Sequence, residues 1–122
     1  EIELGDLDND GVLEVYATPS LPNKLDGTEQ PGWVVRYVPA AGEGRVDVAD
    51  LGDRHAKEIL VDDVDGDGID ELYVANDNAG EVNRYVWRDG SPVKTTLYTH
   101  PEGLSGFTWN IMPVPAELIP AG

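Results

Sequence analysis

The sequence predicts an all-β chain built from two copies of one four-stranded antiparallel unit. Three observations carry that expectation. The chain repeats itself: Glu1-Ile2 recurs as Glu58-Ile59, Val15-Tyr16 as Leu72-Tyr73, and Gly32–Val38 as Gly80–Val86. The repeated stretches are short and rich in Val, Ile, Tyr and Trp, which suit a pleated, half-buried surface. Turn-forming residues separate them, among them Asn76–Gly80 and the Asp89-Gly90 pair.

In chain order, the first unit is read as strands Glu1–Gly5, Val12–Ala17, Trp33–Val38 and Arg45–Leu51. The second is read as Lys57–Asp62, Ile69–Ala75, Glu81–Trp87 and Val93–Thr99. Early positions of the two units lie 57 residues apart and later ones 48, so the first unit holds 9 extra residues. These fall in Thr18–Pro31, where Pro19, Pro22, Gly27 and Pro31 indicate an extended surface loop. Asp53–Val61 is the one stretch with a helical alternative. Its apolar run Ile59–Val61 and its match to the first strand favour a strand. Phe107–Met112 reads as the start of a third strand set, and Pro113, Pro115 and Pro120 then impose an extended tail. The expected organisation is a first repeat over 1–52 with an inserted loop 18–31, a second repeat over 53–106, and a terminal strand with a Pro-rich tail over 107–122. A four-stranded meander is the unit of a β-propeller, and closed propellers have about four or more such blades. Two blades therefore read as part of a larger propeller.

Composition narrows the function. The chain has 122 residues, with 8 Lys+Arg against 24 Asp+Glu and a formal charge of −16. Such a surface repels polyphosphate, which excludes a nucleic-acid binder acting through its own charge. Leu, Ile, Val and Phe make up 31 residues, more than the roughly 20% expected of a disordered acidic tail. The absence of cysteine removes disulfides, thiolate metal sites and thiol nucleophiles. No apolar run approaches the ~18 residues needed to span a membrane.

The acid is not scattered. Asp6, Asp8, Asp10 and Glu14 occupy positions 1, 3, 5 and 9 of one loop, with Gly11 at position 6. Asp63, Asp65, Asp67 and Glu71 occupy the same positions of a second, with Gly68 at position 6. A solvated acidic loop requires no such spacing. Two unit charges ~4 Å apart cost on the order of 4 kcal/mol at an effective dielectric of ~20. A divalent cation reverses the sign of that term. Hard oxygen ligands on a flexible loop suit Ca²⁺ better than Mg²⁺. Position 4, Asn9 or Gly66, tolerates left-handed backbone. Position 7, Val12 or Ile69, is expected to offer its carbonyl and to start the next strand. An EF-hand needs an acid at position 12, but Ala17 and Val74 stand there. Two calcium sites are expected: Asp6, Asp8, Asp10, Val12 and Glu14 in one, and Asp63, Asp65, Asp67, Ile69 and Glu71 in the other. The loops lie far apart in sequence and are expected to act separately.

Asp63–Ala75, reading Asp-Val-Asp-Gly-Asp-Gly-Ile-Asp-Glu-Leu-Tyr-Val-Ala, resembles the FG-GAP/VCBS repeat of integrin-α-like β-propellers and many bacterial secreted proteins. Asp6–Ala17 resembles a second, slightly degenerate copy, and the likeness covers most of residues 1–112. The Phe-Gly…Gly-Ala-Pro signature of part of that family is absent. The resemblance implies a calcium-stabilised propeller segment, extracellular or periplasmic, acting as a structural or adhesive module without enzymatic activity. Expected partners are other blades of the same longer chain, with self-assembly of several copies into a ring or docking on a partner protein as alternatives. The alternative is a carbohydrate-binding propeller, or an accessory domain of a secreted polysaccharide-degrading enzyme, with a glycan as ligand.

Other residues read as architectural. Trp33, Trp87 and Trp109 are expected to cover blade faces, with Trp87 the best candidate for an exposed sugar platform. Arg36 and Arg84, at matching places in apolar strands, are expected to pair with a neighbouring carboxylate. His55 and His100 form no ligand or triad pattern, and Ser20, Ser91 and Ser105 lack a nucleophile context.

Overall fold

A computed structural model describes residues 1–18, 25–28, 32–52, 56–76, 80–101 and 111–120. The first repeat forms strands β1 (Ile2–Gly5), β2 (Glu14–Ala17), β3 (Trp33–Val38) and β4 (Glu43–Asp50). The second forms β5 (Ala56–Asp62), β6 (Glu71–Asn76), β7 (Glu81–Arg88) and β8 (Ser91–Thr99). Each set makes one four-stranded antiparallel sheet in chain order. No α-helix occurs among the described residues, and 3₁₀ turns lie at Pro39–Ala41 and Ala116–Leu118. The segment with a helical alternative is strand from Ala56 onward, because Ile59, Leu60 and Val61 pair with Val74, Tyr73 and Leu72.

The sequence repeat is also a repeat of register. Leu4 pairs with Val15 and Val15 with Tyr37; at the matching places Val61 pairs with Leu72 and Leu72 with Tyr85. Tyr16 lies opposite Arg36 as Tyr73 lies opposite Arg84. Turn chemistry differs between the repeats. A two-residue turn joins β7 and β8, with Asp89 and Gly90 both at positive φ (51° and 80°), which matches strand twist in a tight hairpin. The 3₁₀ turn and Gly42 at φ 66° join β3 to β4.

The sheets stack, with β1 along β5 and β4 approaching β8. One face of the first sheet, carrying Tyr16 and Val34, meets the face of the second carrying Ile59, Val61, Leu72, Val74 and Tyr85 in a single buried cluster. Gly5 belongs to that contact. A β-carbon there would lie 2.9 Å from Val61 Cβ and would run into Val61 Cγ1.

Two strands start later than their composition suggests. β2 begins at Glu14 rather than Val12, and β6 at Glu71 rather than Ile69. The backbone N–H groups of Val12 and Ile69 bond instead to Asp10 Oδ1 (2.8 Å) and Asp67 Oδ1 (2.9 Å). These side-chain acceptors take the donor that a strand would use. The expected third strand set falls largely on residues 107–110, outside the described residues, while Ile111–Pro115 form no regular element.

Gly5→Ala should destabilise the protein by about 1–3 kcal/mol through overpacking. Urea denaturation should show the loss, and the double variant with Val61→Ala should recover part of it. An unchanged midpoint in Gly5→Ala would contradict the close approach.

Candidate metal centres

Each acidic loop is shaped by its own side chains. Asp6, at position 1, accepts from the backbone N–H groups of Asp10 (3.0 Å) and Gly11 (2.8 Å). Asp63 accepts from Gly66 (2.8 Å), Asp67 (3.0 Å) and Gly68 (2.8 Å). The chain must coil around that carboxylate, which is why position 4 is left-handed (Asn9 φ 56°, Gly66 φ 79°). Position 6 is glycine for the same reason (Gly11 φ 84°, Gly68 φ 91°).

The loops gather the expected carboxylates. Asp6, Asp8, Asp10 and Glu14 each offer an oxygen within 4.8 Å of one another, and so do Asp63, Asp65, Asp67 and Glu71. Both groups could hold a metal ion. Asp8 Oδ1 is shielded from solvent and has no hydrogen-bond partner, so one oxygen of the first group has its lone pairs free. Val12 and Ile69 sit at the mouth of their loops, tied by their N–H groups to Asp10 and Asp67.

Glu14 and Glu71 differ from the other acids in being buried, at 1% and 2% exposure. Each has one oxygen held from below. Glu14 Oε2 accepts from the Tyr16 hydroxyl and from Leu7 N (3.2 Å). Glu71 Oε2 accepts from the Tyr73 hydroxyl (3.0 Å) and from Val64 N (3.3 Å). Burial raises both carboxyls above their usual range, and these hydrogen bonds pull the other way. Burial also pushes the Tyr73 hydroxyl up to about 12, so it stays a donor. Sequence reasoning did not assign the two tyrosines this role. The signal was a Tyr two residues after the loop glutamate in both repeats, which a strand places on the same face.

The loops are not equivalent. Arg36 Nη1 lies 3.0 Å from Asp8 Oδ2 and 3.3 Å from Glu14 Oε1, and its guanidinium sits 5.1 Å from the Trp87 ring centre. This cation partly neutralises the first group and joins it to the second sheet. Arg84, its counterpart, lies beside Tyr73 and forms no ion pair among the described residues. Among the described residues the second loop thus keeps more uncompensated charge. The loops also touch: Asp6 N donates to Asp70 Oδ2 at 2.8 Å. The expectation that they act separately did not foresee this contact, because sheet stacking brings together residues 64 positions apart.

Among the described residues the remaining aromatic, histidine and serine candidates do not gather into a second site. Trp87 is partly buried against the core and covered by Arg36, and so is no open platform. Trp109, His55, Ser20 and Ser105 lie outside the described residues. His100 Nδ1 lies 3.1 Å from the Tyr98 hydroxyl, and Ser91 Oγ donates to Arg88 O within its turn. A third acidic group, Glu1, Glu3 and Glu58, also lies within 4.8 Å, but without a coiled loop around it.

No family model matches the chain, and no curated protein or solved structure matches it either. No helix among the described residues is long and apolar enough to cross a membrane.

Glu3 carries a pH prediction. Burial, then Glu1, Glu58 and Asp62, raise its carboxyl above 4.5. A folded-state value above the unfolded one means that the stability tied to protonation is present at low pH and lost as pH rises through the folded value. Glu3→Gln, neutral throughout, should raise the melting temperature in EDTA at neutral pH. The gain should shrink as pH falls towards 4.5. An equal gain at both pH values would contradict the electrostatic cause.

Proposed function

We propose that each acidic loop binds one Ca²⁺ and that the chain is a calcium-stabilised segment of an extracellular or periplasmic β-propeller, serving as a structural or adhesive module. In this reading the two sheets are blades of the FG-GAP/VCBS kind. The observation that carries it is the duplicated oxygen cage, with four carboxylates at the same loop positions in both repeats.

Calcium suits the cages because its coordination is wide and adaptable and its ligands are hard oxygens. Asp6, Asp8, Asp10 and Glu14 would hold one ion with the Val12 carbonyl. Asp63, Asp65, Asp67 and Glu71 would hold the other with the Ile69 carbonyl. The ion would supply opposing charge beyond what Arg36 gives the first cage, and would close the hairpin entering β2 or β6. Two ions would bring the formal charge from −16 to −12. Extracellular loops of this class have Kd of ~10⁻⁴–10⁻³ M. At ~2 mM free calcium each site would then contribute roughly 0.6–1.8 kcal/mol. Cytoplasmic calcium would leave such sites empty, which is the argument for export. The second loop, lacking the Arg36 ion pairs, should bind more tightly than the first.

EDTA should lower the melting temperature and excess calcium should restore it, whereas magnesium at the same concentration should restore less. Asp67→Ala should remove much of the calcium response. A melt unaffected by chelation would overturn the calcium reading.

A further inference from the structure

The two loops offer the same four carboxylates but not the same free oxygens. Glu14 has both of its oxygens engaged. Oε2 accepts from the Tyr16 hydroxyl and Leu7 N, and Oε1 accepts from Arg36 Nη1 at 3.3 Å. Glu71 repeats only the first half of that arrangement, its Oε2 bonded to the Tyr73 hydroxyl and Val64 N. Among the described residues no cation pairs with its Oε1. Asp8 differs from Asp65 in the same way, because its Oδ2 accepts from Arg36 Nη1 at 3.0 Å. One guanidinium nitrogen therefore touches two of the four acids of the first group, as a bound cation would.

Arg36 is built into this place. It lies in β3 directly opposite Tyr16 of β2, so both side chains leave the sheet on the same face. Its side chain is 10% exposed and that of Glu14 1%. On its other side the guanidinium carbon sits 5.1 Å from the ring centre of Trp87, in β7 of the second sheet. Its Nε is shielded from solvent and has no hydrogen-bond partner among the described residues. The cation is thus held by two acids of the first loop and by one indole face. Asp8 Oδ1, shielded and unpartnered, is the oxygen of this pair that stays open to an ion.

We propose that Arg36 is the resident counter-ion of the first loop, that Ca²⁺ competes with it for Asp8 and Glu14, and that the exchange registers at Trp87 in the second sheet. Two cations sharing two carboxylates repel, so the guanidinium lowers what the loop gains from a metal ion. The second loop has no such competitor among the described residues and fills at lower calcium. The first fills only when calcium is high enough to take Glu14 from Arg36. Once those ion pairs weaken, the guanidinium loses the anchors that hold it over the indole. The second loop then answers to low calcium, and the first carries high calcium to the contact between the sheets. The inference rests on the calcium reading of both loops and adds Arg36 as the residue that separates their affinities.

The test is calcium titration of the metal-free chain by calorimetry and equilibrium dialysis, with the indole N–H resonances followed by NMR. Trp87→Phe identifies the Trp87 signal among those of Trp33, Trp87 and Trp109. The wild-type chain should show two affinities, with the Trp87 signal moving across the weaker one. Arg36→Met, which keeps an apolar stem against the indole, should tighten the weaker site about tenfold, the worth of one charge-assisted hydrogen bond. Arg36→Lys keeps the charge and should tighten it less. Two loop variants retain Arg36 should Arg36→Met fail to fold by circular dichroism. Asp67→Ala, which disables the second loop, should keep the Trp87 response, and Asp10→Ala, which disables the first, should bind calcium without it. Two sites in Arg36→Met with the weaker one no tighter would overturn the inference and leave the calcium reading standing. So would a Trp87 signal that moves with the second loop alone. No calcium bound by either the wild-type chain or Arg36→Met would overturn both.

Discussion

Confined negative charge is the constraint around which this protein is arranged. Two groups of four carboxylates hold oxygens within 4.8 Å, and one member of each, Glu14 or Glu71, is almost wholly buried. Desolvation raises both glutamates, an energetic cost that the tyrosine hydroxyl and one backbone N–H only partly offset. The rest of each loop serves to hold the acids in place. Asp6 and Asp63 collect backbone donors, Asp10 and Asp67 take the N–H of the seventh position, and glycine makes the turn. β2 and β6 start only once the glutamate is reached.

The same loops help join the sheets. Asp6 bonds to Asp70 across the interface, Arg36 reaches from the first cage to Trp87, and Gly5 lets β1 approach Val61. Each contact links a residue at or beside the first loop to the second sheet. Charge balance in that loop and stacking of the sheets therefore share residues: Asp6 and Arg36 each belong to the loop's bonding and reach the second sheet.

Much of this was legible in the sequence, because repetition supplied an internal control. The spacing of Asp6, Asp8, Asp10 and Glu14 meant little alone and much beside Asp63, Asp65, Asp67 and Glu71. The eight strands follow from β-branched and aromatic runs between turns. Less legible were features that depend on three-dimensional contact. Val12 and Ile69 look like strand residues, yet side-chain acceptors two residues earlier capture their N–H groups. Trp87 sits beside a turn and reads as exposed, but stacking brings Arg36 over it. Tyr16 and Tyr73 read as core residues, and only their hydroxyls' bonds to Glu14 and Glu71 reveal the second role. The Asp6–Asp70 bond joins parts of the chain that no local pattern relates.

The account stands most directly on calorimetric titration of the metal-free chain with calcium. It predicts two ions bound per chain, the second loop filling first, with Asp67→Ala leaving one. No calcium bound, by heat or by equilibrium dialysis at millimolar calcium, or a stoichiometry unchanged by Asp67→Ala, would contradict it.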